Sequence, residues 1–532
     1  MITAKNPVLT GFHPDPSICR VGDDYYLATS TFQWFGGVGL YHSRDLVNWE
    51  ELPSPLNRMS QLDMQGNPNS GGIWGPCLSY SNGTFYLIYT NTKNFHGIFK
   101  DTPNYLVTTN DIYGEWSEPI YLNSSGFDPS MFHDDDGRKY LLNMRWDHRM
   151  EFHDFAGILI QEYSEKEKKL IGEPKTIFKG TPIGATEAPH LYKRNGYYYL
   201  MVAEGGTMYN HGIRMARSKN IYGPYEYDPV PLLTARDDEN SPLQRTGHGS
   251  LVDTVNGEWY VPYLCGRPIG KKKRCILGRE TAFAQVVWDE NGWLRLKDGG
   301  VVPPTEYSVT LKEHKFKSLP KRDTFNCDTL PPHYKTLRLP LDKMGSLSDR
   351  DGYLRLYGHE AITSWNNQSL VARRLEHFNV EVTTRLEFDP KTFQQMAGLT
   401  VIYDTYNFFY LYMSNNEEGE NVLRICVRDS LKFYNPIGYV SINDAKSVYL
   451  RAKINEDSLS FYYSLDGESY TELCSELDCS NLSDEAYSDI GHEGHTGTFV
   501  GMACQDLTGG NGGEVAHADF EFFEYKVLSR EK

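Results

Sequence analysis

At 532 residues the chain exceeds what one ordinary hydrophobic core serves, so two domains are expected. Its formal charge of −17 at pH 7 excludes nucleic acid and anionic membranes as principal partners, because both demand a basic surface. The one basic run, Lys271-Lys272-Lys273-Arg274, reads as a solvated loop.

The first recognisable unit, DPSICRVGDDYYLATS, begins at Asp15 and reads as a short strand, a tight turn and a Tyr-rich strand. The same pattern returns as WGPCLSYSNGTFYLIYT from Trp74, DPSMFHDDDGRKYLLNM from Asp128, EAPHLYKRNGYYYLMVA from Glu187 and HGSLVDTVNGEWYVPYL from His248. Starts 54 to 61 residues apart, with hairpins inside each unit, predict propeller blades. Between them lie YHSRDLVNWE (41–50), TTNDIYGEWSEP (108–119) and ARSKNIYGPYEY (216–227), each a polar turn followed by an aromatic. These fit the passage from a blade's third strand to its outer edge. Sustained 3.6-residue apolar periods are scarce, so little helix is expected.

The turns set a register. Asn82-Gly83, Asp136-Gly137, Asn195-Gly196 and Asn256-Gly257 favour tight hairpins. Trp74, Asp128, Glu187 and His248 each stand nine residues before the glycine, and Asp15 nine before Asp24, which takes the glycine's place in the first unit. Side chains alternate along a strand, so equal offsets predict equal facing. If these are innermost strands, all five residues converge on one central mouth.

The repeat stops after about residue 300. The expected division is a five-bladed β-propeller over residues 1–305, a Pro- and charge-rich linker over 306–322, and a β-sandwich over 323–532. The sandwich rests on alternating segments such as FNVEVTTRLEFD (378–389) and GLTVIYDTYNFFYLYM (398–413). Nine cysteines are scattered without a C-x-x-C pair, and MITAKNPVLTGFHPDP has no apolar signal-like stretch. A soluble, reduced, cytosolic protein is the expectation.

Three carboxylates among five in-register positions point to chemistry on sugars. Cleaving a glycosidic bond needs an acid to protonate the leaving oxygen and a carboxylate to activate water or attack the ring. A third negative charge keeps the acid protonated near neutral pH. Singly the signals are weak, since Asp-Pro at a strand start is common and Glu187 could simply bond a backbone amide. The shared register is what favours function. Competing chemistries lack their patterns: there is no HExxH, the glycine-rich AEGGT is not a phosphate loop, and G-x-S-x-G is missing. A sugar-binding protein without activity is the alternative from another class, but binding alone needs no acid of raised pKa.

The segments NPVLTGFHPDPSICRVGDDYYLATSTF, SSGFDPSMFHDDDGRKYLLNMRWDHR, TEAPHLYKRNGYYYLMVAEGGT, GHGSLVDTVNGEWY, LGRETA, VARRLEHFNVEVTTRLEF and FVGMACQD resemble the two-domain β-xylosidases of glycoside hydrolase family 43. The resemblance covers nearly the whole chain. It implies an all-β protein, a five-bladed propeller followed by a concanavalin-like sandwich, and inverting, exo-acting release of xylose from short β-1,4-xylooligosaccharides. α-L-Arabinofuranosidase activity is the alternative, because the two sugars place similar hydroxyls around the same carboxylates. On matching motifs Asp15 would be the general base, Glu187 the general acid, and Asp128 the group that raises the acid's pKa and orients it. Phe32, Trp74, Thr207, His248 and Arg279 would surround the terminal xylose, with Trp146 on the leaving-group side. The resemblance also implies a homo-oligomer and no required cofactor. It leaves room for a divalent cation such as calcium in the propeller channel, with His248 as one ligand.

Three departures bear on the site. This chain reads WFGGV (34–38) where relatives often read WFPGV, and WGPC (74–77) where they read WAPH. Gly75 and Cys77 therefore flank a sugar-binding Trp with less bulk. Where relatives present a closing Phe pair the chain reads HEGHTGTF (492–499), leaving His495 to fill part of that space.

Overall fold

The computed structural model describes residues 1–529. Five antiparallel sheets follow one another along the first part of the chain, with inner strands at Ser17–Val21, Gly72–Ser81, Ser130–His133, Glu187–Arg194 and, for the fifth, Gln244–Gly247 with Val252–Asp253. Each is a propeller blade, and the polar-turn segments fall where expected. Gly39–Ser43, Asn104–Thr109 and Gly212–Ser218 are third strands, handing over to the outer strands Glu50–Leu52, Ile120–Asn123 and Glu226–Tyr227.

The hairpins show why the register works. Asn82 and Gly83 (φ 49° and 82°) and Asn195 and Gly196 (φ 49° and 75°) both take positive φ, as a two-residue turn between right-twisted strands requires. In the first blade the turn is Gly22-Asp23, with Val21 facing Asp24. The place equivalent to the glycine is thus Asp23, one residue earlier than expected. A bulge between Trp74 and Cys77, and another between Glu187 and His190, compensate. Each adds a residue to its inner strand and re-aims the side chain before it.

The ring is closed by a two-stranded ribbon, Ile2–Lys5 against Glu306–Val309. Residues 306–309 are therefore strand and not linker: Tyr307 and Val309 alternate into the apolar cluster beneath the first and fifth blades. The second domain is a sandwich of two antiparallel sheets. Its last three expected residues, 530–532, lie outside the described residues. The core lies between Val380, Val382 and Leu386 on one sheet and Leu399, Val401, Val500 and Met502 on the other. Alternate residues of Phe499–Asp506 face the opposite way, and Phe499 and Ala503 join a cluster with Trp34 of the propeller.

The two domains share this seam closely. Trp34–Phe35, reaching out of the first blade, pairs with Tyr334–Leu337 as an edge strand of a sandwich sheet. Trp34 stacks on Phe499 with centroids 3.8 Å apart. Buried charge crosses the seam as well: Arg245 of the fifth blade meets Asp484 at 2.6 Å and Glu485 at 3.1 Å. Both acids lie in Asp484–Asp489, the single α-helix among the described residues. No helix of the described residues is long and apolar enough to cross a membrane.

Candidate active site

All five in-register residues, Asp15, Trp74, Asp128, Glu187 and His248, line one pocket of about 430 Å³ at the propeller mouth. The backbone explains how blades with different turns deliver them there. Asp15, Asp128 and His248 take φ of 59°, 54° and 45°. In the two bulged blades the residue after the site position does so, Gly75 at 42° and Ala188 at 50°. Non-glycine residues in this region are strained, and such strain clusters where a side chain must be aimed.

Asp15 is gripped on both oxygens. Oδ1 accepts Arg279 Nη1 at 3.0 Å, and Oδ2 accepts the Ser30 hydroxyl at 2.6 Å. Burial disfavours its anion, but Arg279, then His248, then Ser30 outweigh that and hold the carboxyl below its ordinary range. Glu187 has the opposite surroundings. Burial first and the Asp15 charge second push it up to about 8, against the pull of Arg279 and Lys100. Asp128 is also raised, by burial, then by Glu187 and Asp15. Its Oδ2 accepts the Ala188 N–H at 3.2 Å, a bond that favours its ionised form. The site thus holds one carboxylate ionised and a carboxyl pair that retains a proton to near-neutral pH. This is the division of labour between base and acid.

The remaining predicted residues gather on the same pocket. Arg279 Nη1 also donates to Thr207 Oγ1 at 3.1 Å, and its guanidinium lies 5.2 Å from the Phe32 ring centroid. Phe32 is fixed against the second blade by paired backbone bonds with Ile73, and its ring sits 6.0 Å from that of Trp74. Trp146 lines the pocket, with its indole N–H on the Ile98 carbonyl at 2.8 Å and Lys100 Nζ 4.3 Å over its ring. His495 from the sandwich completes the aromatic wall, 5.8 Å from Trp74 and 5.9 Å from Phe95. Arg279 Nη2 donates to its carbonyl at 2.9 Å.

Sequence reasoning missed Ser30, Lys100, Phe127 and Glu493. Ser30, Lys100 and Phe127 lie outside the repeat positions, and Glu493 comes from the other domain. Only an aromatic-basic cluster at Phe95–Lys100 could have drawn attention to Lys100.

His248 lines the pocket beside two of the carboxylates. Its Nδ1 faces Asp15 Oδ1 at 3.4 Å and Asp128 Oδ2 at 4.0 Å, and burial lowers its pKa. Calcium takes about six to eight oxygen ligands, and among the described residues no group of three or more His, Cys, Asp or Glu is placed to hold a metal. No step below runs through a metal.

The profile for glycosyl hydrolases family 43 matches residues 4–294, and that for a β-xylosidase C-terminal concanavalin A-like domain matches 322–526. The chain belongs to family 43 of the glycosyl hydrolases. The family 43 domain holds the five blades, and the concanavalin A-like domain supplies His495. A β-xylosidase of Bacillus subtilis (strain 168) is 48% identical over 98% of this chain and 99% of that protein. A xylosidase/arabinosidase 43B of Humicola insolens is 47% identical over 99% and 98%. The crystal structure of a xylan β-1,4-xylosidase from Bacillus halodurans C-125 superposes with a TM-score of 0.95 at 53% identity, covering 98% of this chain and all of that one.

Proposed function

We propose that the protein is an inverting, exo-acting β-xylosidase that removes xylose from the non-reducing end of short β-1,4-xylooligosaccharides. The observation that carries this reading is the split of three converging carboxylates into one held ionised, Asp15, and a proton-retaining pair, Asp128 and Glu187. The names of the Bacillus relatives supply the sugar and the linkage. Asp15 takes a proton from water as that water attacks the anomeric carbon. Glu187 gives its proton to the departing oxygen, burial and the Asp15 charge having held that proton in place beforehand, with Asp128 alongside to orient the acid. Phe32, Trp74 and His495 offer apolar faces to a flat pyranose. Arg279 serves both Asp15 and the sugar hydroxyls. The loop around His495 walls the pocket on one side, which suits attack at a chain end.

The reading includes no cofactor, a homo-oligomer, and a reducing compartment consistent with nine free cysteines. Following a nitrophenyl β-xyloside by proton NMR tests the core of it: α-xylose is expected as the first-formed product, with rates unchanged by chelator. β-Xylose appearing first would refute the inverting assignment. The double name of the Humicola relative favours a side activity on α-L-arabinofuranosides, read by the ratio of rates on the two nitrophenyl glycosides.

A further inference from the structure

Ser30 is fully buried and lies just after the second strand of the first blade, Asp24–Thr29. Its backbone N–H is tied to the Pro14 carbonyl at 3.1 Å, which fixes it beside Asp15. Its Oγ accepts the N–H of Gly75, from the second blade, at 2.9 Å. A serine hydroxyl has a single proton to donate. With the Gly75 amide occupying an acceptor site, that proton points along the 2.6 Å bond to Asp15 Oδ2. Asp15 Oδ1 is meanwhile held by Arg279. Between them the carboxylate plane is locked, leaving its remaining lone pairs directed into the pocket.

We infer that Ser30, oriented by the Gly75 amide, is a positioning residue for the base, fixing the carboxylate rotation at which Asp15 can take the proton of the attacking water. Gly75 also has a second part in the site. A Cβ built on it would stand 2.3 Å from Asp128 Oδ1 and 3.0 Å from the Asp128 Cα. One residue thus borders both flanks of the site, its amide serving the base through Ser30 and its Cα packed against Asp128. The groups facing Asp15 are Arg279, His248, His211, Asp128 and Glu187. Ser30 carries no charge, so removing it changes orientation without changing the charge of the site.

The inference rests on Asp15 being the base. Its test is Ser30→Ala measured beside Asp15→Asn, on xylobiose and on a nitrophenyl β-xyloside, with xylose affinity and Tm measured for each. Deprotonating water is required whatever departs, whereas help from the acid matters only for a poor leaving group. Ser30→Ala is therefore expected to lower kcat by the same factor on both substrates, about ten- to hundredfold for one lost hydrogen bond to a charged group. KM and xylose affinity should stay within about twofold. Ser30→Thr, which keeps the hydroxyl, should recover most of the rate. Unchanged kcat in Ser30→Ala with Asp15→Asn inactive would overturn the inference alone. An active Asp15→Asn would overturn the assignment of the base. A rate loss confined to xylobiose, or one that follows xylose affinity, would also overturn the positioning role.

Discussion

Glu187→Gln should make the folded protein less sensitive to alkali. Burial and Asp15 raise the Glu187 carboxyl from 4.5 to about 8, so its folded pKa lies above its unfolded one. A group shifted in this direction contributes stability that is fully present below the unfolded value and lost as pH rises towards the folded value. At 1.36 kcal/mol per unit, the loss between pH 5 and pH 9 comes to about 4 kcal/mol. Water entry and relaxation around the anion make that a ceiling. Glutamine has nearly the same shape and no proton to lose, so the variant escapes this term. With an unfolding entropy of about 2 cal/mol/K per residue, 4 kcal/mol corresponds to about 4–6 °C, depending on whether the propeller or the whole chain melts as the unit. The assay is calorimetry of both proteins at pH 5 and pH 9, read as the difference of differences, in which carboxylates remote from the site cancel; Asp128, raised in part by Glu187, adds to the difference. Wild type should lose several degrees more than the variant, up to about 4–6 °C. Equal falls in Tm, within about a degree, would refute the raised carboxyl and with it the pairing of acid and base.

Arg279→Gln removes the charge that counts most in holding Asp15 ionised. The Asp15 pKa then rises, and activity should fail at a higher pH as the solution is acidified, seen as an upward shift of the acidic limb of kcat/KM of about one unit. Gly75→Ala introduces the residue that relatives often carry, but its Cβ would stand 2.3 Å from Asp128 Oδ1, so Asp128 must shift and kcat should change more on xylobiose than on a nitrophenyl xyloside, unlike the uniform loss expected from Ser30→Ala.

Much of the propeller was legible because one hairpin recurs with its turn chemistry intact. Asn82-Gly83 and Asn195-Gly196 announce their turns, and the alternation from those turns carries Trp74 and Glu187 to the mouth. The one-residue slip at Asp23 and Asp24 was not legible. A bulge leaves no mark in composition, and the two at Trp74 and Glu187 offset a counting error that would otherwise have sent Asp15 to the opposite face. Glu306–Val309 was misread for a related reason. Four alternating residues next to a proline-rich stretch are too few to announce a strand, and only the distant partner Ile2–Lys5 makes them one.

What the repeat could not reveal is the share of the site that belongs to the second domain. Asp15 is ionised because Arg279 is beside it, and Arg279 is held where it is by the His495 carbonyl, with Asp484 at 3.9 Å on its far side. Asp484 in turn neutralises Arg245, which donates to the Thr207 carbonyl at 3.1 Å. A chain of charge therefore runs from a sandwich helix to the base. A propeller stripped of its partner would keep all three carboxylates, yet Arg245 would lose both acids it is paired with, Asp484 and Glu485. It would also leave Arg279 free to swing from Asp15. The carboxylates are encoded in the blades, and part of the environment that separates an acid from a base is encoded about 300 residues after the last of them, at Asp484 and His495.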